Sequence, residues 1–205
     1  MYERKIEEPV TMTEAEYLAF EEKSEFKHEH QRGEIIDMSG DTVRHGLIRM
    51  NIGTHLNNQL GDRDCSVLSP DVRVHIASKG TYRYPDVTVF CGDPAYVDGR
   101  SDTILNPVVL VEVLSPESMQ RDQGAKLKEY TQIETLQAYL LIAQDAIQVQ
   151  HFLRHESGDW LYSLTEGLDG EIVLPTLDCT LSLAKIYQRV RFDEPEGDNP
   201  PGDEA

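Results

Sequence analysis

Apolar residues recur at every fourth position through Ile48, Ile52, Leu56 and Leu60, which is one stripe of an amphipathic helix. Asp41 or Thr42 serves as its N-cap, and Gly61 stops it. Ahead of it, Thr13-x-x-Glu16 is a capping box that opens a helix to about Lys23. Two alternating runs, 26–31 and 34–38, flank Arg32-Gly33 and predict a hairpin. Further on, the period changes from helical to that of strands. Strands are predicted over 66–68, 72–76, 84–90, 108–114, 137–143, 147–153, 160–165 and 172–174, with a loop over 92–106. The run at 108–114 is apolar on both faces, as in a covered central strand. Helices are predicted at about 118–133 and over 181–187. Helices interleaved with several strands predict an α/β fold with a sheet of mixed direction.

Composition narrows the classes. At 205 residues, with 39% hydrophobic and 27% charged positions, the chain suits a single globular domain. That domain is placed over 11–192, between a loose lead-in at 1–10 and an acidic Pro/Gly-rich tail at 193–205 that is predicted to be disordered. The N-terminus lacks the apolar segment of a signal peptide, and no run is long enough to span a membrane. A cytoplasmic location without membrane contact is expected. Cys65, Cys91 and Cys179 are odd in number and widely spaced, so they are read as reduced thiols. The net charge of -18 disfavours tight nonspecific binding to nucleic acid, and a balance of about -12 remains without the tail.

The chemistry concentrates between Tyr84 and Tyr130. Asp86 opens one buried run, and Glu112 sits inside Val-Val-Leu-Val-Glu-Val-Leu, where an acid must be paired or bound to a cation. Two carboxylates on strands suit a hard cation such as Mg²⁺; the alternative is that Asp86 caps a turn and Glu112 pairs structurally. With Lys126 set at 0° on a helical wheel, Tyr130 falls near 40°, Ile133 near -20° and Asp122 near -40°. Lys126 is therefore directed inward and needs an anionic partner, either within a buried pair or at a substrate. His45 and Arg49 share the inward face of their helix near its start, where they could meet a phosphate or simply belong to the core. Pro70-Asp71 echoes Pro85-Asp86, and local sequence alone does not separate the two. Strand alternation puts residue 114 beside Glu112 on the same face, and that residue is Leu114.

These residues resemble the pattern of the PD-(D/E)xK nucleases, the restriction-endonuclease-like superfamily, with Leu114 where the strand lysine belongs. The chain is more similar to one bacterial branch, the Uma-two family of proposed endonucleases, in which the lysine comes from the following helix. Glu29-x-x-x-Gly33-Glu34, Met38, His45-Gly46, Arg83-Tyr84-Pro85-Asp86-Val87, Val111-Glu112-Val113-Leu114-Ser115 and Asp122 with Lys126 and Tyr130 carry the likeness, over roughly 10–190. The resemblance implies a restriction-endonuclease-like mixed β-sheet flanked by helices and a Mg²⁺- or Mn²⁺-dependent endonuclease hydrolysing phosphodiester bonds of DNA. Asp86, Glu112 and Lys126 would be catalytic, with metal held by Asp86, Glu112, the carbonyl of Val113 and Glu29. Glu29 is otherwise an exposed hairpin acid. His45, Arg49 and Tyr130 would face substrate, and a homodimer is compatible with such a fold. The acidic charge and Leu114 keep a second reading open, a catalytically inactive nuclease-fold protein acting as a binding or assembly module.

Overall fold

The computed structural model describes residues 10–38, 40, 42–114 and 122–192. The tail at 193–205, nearly all of the lead-in and the start of the helix expected at 118 lie outside the described residues.

Helix α1 (Glu14–Glu21) begins at Thr13, whose hydroxyl and the Glu16 carboxylate form the reciprocal capping box. Strands β1 (His28–Gln31) and β2 (Glu34–Asp37) pair antiparallel. Their two-residue turn places Arg32 at φ 53° and Gly33 at φ 98°, the left-handed pair that matches the twist of a tight hairpin. Helix α2 (Val43–Leu60) is capped by Thr42, which accepts from the His45 N–H, and stops at Gly61. Then follow β3 (Cys65–Leu68), β4 (Arg73–Ile76), β5 (Thr81–Arg83), β6 (Val87–Cys91), β7 (Thr103–Ile104) and β8 (Val109–Leu114). A π-helical turn, Asp122–Lys126, runs into α3 (Leu127–Tyr130). The chain continues through β9 (Ala138–Ala143), β10 (Gln148–Arg154), β11 (Trp160–Glu166), β12 (Glu171–Leu174), β13 (Cys179–Ser182) and α4 (Leu183–Ile186).

The strands form two main sheets and a small hairpin. One sheet has the order β2-β1-β5-β4-β7, the other β11-β10-β9-β8-β6-β3, and β12 pairs with β13. The larger sheet is mixed, because β8 runs parallel to β9 and antiparallel to β6. The strand predicted over 84–90 corresponds to β6 alone, and β5 lies ahead of it. Strand β5 ends at Arg83 in the smaller sheet, and β6 starts at Val87 in the larger one. Pro85 lies at the hand-over; it has no N–H to give to a ladder and biases Tyr84 toward extended backbone, so the chain changes sheets without turning back. Strands β5, β7 and β13 escaped the sequence reading: β5 is three residues long, β7 two, and β13 comes just after a 3₁₀ turn.

Strand β8 is buried on both faces, as its composition predicts. Val109, Val111 and Val113 join Ile48, Ile52, Leu56 and Leu60 of α2 in one core. Leu110 and Leu114 join Tyr130, Ile133, Leu136, Tyr139 and Leu141 in a second core, which extends to Val74, Ile76 and Ile104 of the smaller sheet. Each fully buried aliphatic side chain on the α2 stripe contributes about 1.5–3 kcal/mol over exposure.

The cysteine reading is corrected by the structure. Cys65 and Cys91 form a disulfide and only Cys179 is a free thiol. The two partners stand opposite one another in the antiparallel register of β3 and β6, a proximity that their separation of 26 residues conceals. No helix among the described residues is long and apolar enough to cross a membrane.

Candidate active site

Alternation along β8 sends Leu110, Glu112 and Leu114 to the side opposite α2. There the segment after β8 lays two side chains on Glu112. Its Oε1 accepts from Lys126 Nζ at 3.0 Å and from the Tyr130 hydroxyl at 2.8 Å. Lys126 and Glu112 are each 4% exposed. The wheel argument holds for Lys126 and Tyr130, which share a face four residues apart. Upstream of Lys126 the π-helical turn changes the phase, so wheel angles assigned from α geometry do not carry back to Asp122. Burial, and then the Glu112 charge, hold the Tyr130 hydroxyl well above its ordinary pKa, so it remains a donor.

Asp86 reaches the same strand from the other side of the hand-over. Val87 pairs with Val111, which brings Asp86 to the level of Glu112 as the β6–β8 ladder ends. Its Oδ2 accepts the backbone N–H of Val113 at 2.7 Å. Its Oδ1 lies 2.7 Å from His45 Nε2 and 3.5 Å from Arg49 Nη1, both brought by the first turns of α2. His45 and Arg49 thus face an acid of the site. Two consecutive residues of β8, Glu112 and Val113, tie the two groups together.

Glu29, third in this arrangement, comes from β1. It is buried, which removes the alternative of an exposed hairpin acid. Its Oε1 is 3.4 Å from Lys126 Nζ and its Oε2 is 2.6 Å from Arg83 Nη1. Arg83 Nη2 in turn meets Glu129 Oε2 at 2.8 Å. Gln31 donates to the other Glu129 oxygen at 3.1 Å. Burial opposes the Arg83 charge, and the carboxylates of Glu29 and Glu129 more than offset it, so its pKa is held above the ordinary value. Arg83 and Glu129 did not stand out as site residues in the sequence. Glu129 had a signal, since it falls about 60° from Lys126 on the same wheel; Arg83 had none beyond its place in the quoted run.

The competing Pro-Asp is resolved by location. Asp71 is exposed and pairs with Lys27 and Ser69. Among the described residues no three His, Cys, Asp or Glu side chains are grouped to hold a metal ion. The residues present nevertheless fit a hard divalent cation. Among the described residues, Asp86, Glu112, Glu29 and Glu129 are buried beside the buried cations Arg83 and Lys126, with Arg49 and Arg32 reaching in from more exposed positions. Buried carboxylates require cationic partners, and two carboxylates with a backbone carbonyl and waters are what Mg²⁺ takes.

Known proteins resemble this chain over most of its length. A family model described as "Uma2: Putative restriction endonuclease" matches residues 14–184. A Synechocystis sp. protein, "Uncharacterized protein sll1609", is 35% identical over 161 residues, covering 78% of this chain and 91% of the relative. A second from Synechocystis sp., "Uncharacterized protein slr1290", is 32% identical over 178 residues, covering 86% and 92%. Among solved structures, "a putative nuclease belonging to DUF820" from Anabaena variabilis superposes with a TM-score of 0.71 at 17% identity, over 86% of this chain and 97% of that one. That likeness shows the mixed α/β fold. The family match and the two relatives show more: this chain belongs to the Uma2 family, whose description is that of a "Putative restriction endonuclease".

Proposed function

We propose that the protein is a divalent-metal-dependent endonuclease that hydrolyses phosphodiester bonds of DNA. The observation that carries this reading is the buried meeting of Glu112, Lys126 and Tyr130 on a strand whose next residue binds Asp86. Asp86, Glu112 and the carbonyl of Val113 would hold Mg²⁺ or Mn²⁺, with Glu29 adding a carboxylate on the side of Lys126. When bound, the ion supplies positive charge to phosphate oxygens and lowers the pKa of a bound water. The protein's own groups do the rest. Lys126 holds an ammonium beside Glu112, where it can donate to the negative charge that develops on phosphate. The Tyr130 hydroxyl fixes the orientation of Glu112, and His45 that of Asp86. Arg49, partly exposed beside Asp86, is the group suited to meet the DNA backbone.

A second reading, a noncatalytic binding or assembly module, is favoured by two observations. The chain carries a net charge of -18, and both Asp86 oxygens are already engaged by protein groups. Calorimetry with Mg²⁺ and cleavage of supercoiled plasmid DNA separate the two. The nuclease reading requires metal binding that depends on Asp86 and Glu112, and cleavage that Glu112→Gln abolishes. Cleavage unchanged in EDTA, or no binding, removes it.

A further inference from the structure

We propose that Arg83 and Glu129 are positioning residues that set the location of the Lys126 amine; their catalytic relevance rests on the nuclease reading. A lysine on β8 two residues beyond Glu112 would be aligned by the strand itself. A lysine on a helix has no such alignment and depends on how that helix is rotated against the sheets. The network described above closes a ring that fixes this rotation. Starting at Lys126, it passes to Glu29 on β1, to Arg83 on β5, to Glu129, and so back to the helical segment that carries Lys126. Both Nη atoms of one rigid guanidinium are used, one on each carboxylate, which a lysine ammonium does not reproduce with the same geometry. Gln31 secures Glu129 from the same hairpin strand that bears Glu29. Stability alone gives little reason for this arrangement, because a buried ion network is often no more stable than apolar side chains of the same volume. It does give a lysine displaced from the strand a defined place beside Glu112.

The test uses Arg83→Lys, which keeps the charge and breaks the fork, and Glu129→Gln as a second variant should the first fail to fold. Circular dichroism selects variants with a native spectrum and a cooperative melt. In those, modification of Lys126 by an N-hydroxysuccinimide ester, read by peptide mass spectrometry against exposed Lys128, should accelerate several-fold. Mg²⁺-supported plasmid cleavage should lose roughly 10- to 100-fold in kcat, as misplacement of a reacting group does, while KM and the calorimetric Mg²⁺ affinity stay near those of the unaltered protein. Unchanged Lys126 modification in a folded variant overturns the proposal, and so does faster modification with undiminished kcat. Faster modification in a protein that shows no cleavage at all supports the positioning role and refutes the nuclease reading instead.

Discussion

Removing the Cys65–Cys91 disulfide should destabilise the fold by an amount set by the loop it closes. The bond spans 26 residues, and loop-closure entropy for that length corresponds to about 3.5 kcal/mol. In a domain of this size each kcal/mol shifts the melting temperature by about 2–4 °C, so a fall of about 7–14 °C is expected. Two measurements check this. Thermal unfolding should be compared for the oxidised protein, the reduced protein and the Cys65→Ala/Cys91→Ala variant, the reduced form retaining the side-chain volume that the variant loses. A thiol count in denaturant should give one group per oxidised chain, Cys179, and three after reduction, the full complement of cysteines. Three thiols without reductant, or a variant that melts within a degree or two of the oxidised protein, would refute the reasoning. The bond lies at Cys91, the end of β6 away from Asp86, so metal-supported cleavage below the melting range should be the same in both redox forms.

Other perturbations follow from the site and its surroundings. Tyr130→Phe removes a buried donor to Glu112 and should cost about 1–3 kcal/mol in urea unfolding; no loss would mean the hydroxyl does not hold that carboxylate. Leu114→Lys does not restore the strand lysine usefully, because position 114 is buried within an apolar cluster. Its unfolding free energy should fall by roughly 3 kcal/mol or more, and a stable variant with raised cleavage would show that the site accepts the ammonium there. On acidification stability should fall. Burial holds the His75 and His151 pKa values below the ordinary 6.5, so the unfolded chain takes up these protons first. Their contribution is complete above about pH 6.5 and is lost as pH falls through the lowered folded values. Asp102, held down first by its hydrogen bond to Arg100, adds a contribution that is present above its unfolded value of 3.8 and lost below it. The melting temperature should therefore be level near pH 7–8 and decline below about pH 6.5, with a shallower first part in His75→Gln.

Much of this was legible wherever a single element carried its own signal. The α2 stripe, the Thr13 box, the Arg32-Gly33 turn and the doubly apolar β8 are each decided by local periodicity or backbone preference. Lys126 was legible for the same reason: four residues from Tyr130, it could not avoid the apolar face. What escaped depends on register between distant strands. The pairing of Cys65 with Cys91, the engagement of Arg83 by Glu29 and Glu129, and the contact of Asp86 with Val113 all arise from which residues face one another across a ladder or between sheets, and no window of adjacent sequence contains that. Strand β5, at three residues, is too short to show a period of its own, so only the run that continues past Pro85 was legible as a strand.

The hand-over at Tyr84-Pro85-Asp86 also bears on how the molecule assembles. Arg83 closes a strand of one sheet, and Asp86 stands at the start of a strand of the other, with two residues between them. The partners of Arg83 lie on β1 and α3, whereas Asp86 depends on β8 and α2. Neither sheet alone can complete the constellation. A nascent or partly folded chain with only one sheet formed has acids and cations without their counterparts, and so carries no finished site. On the proposed reading of DNA hydrolysis, docking of the two sheets would act as a folding checkpoint, and hydrolytic capacity would arrive only with the native state.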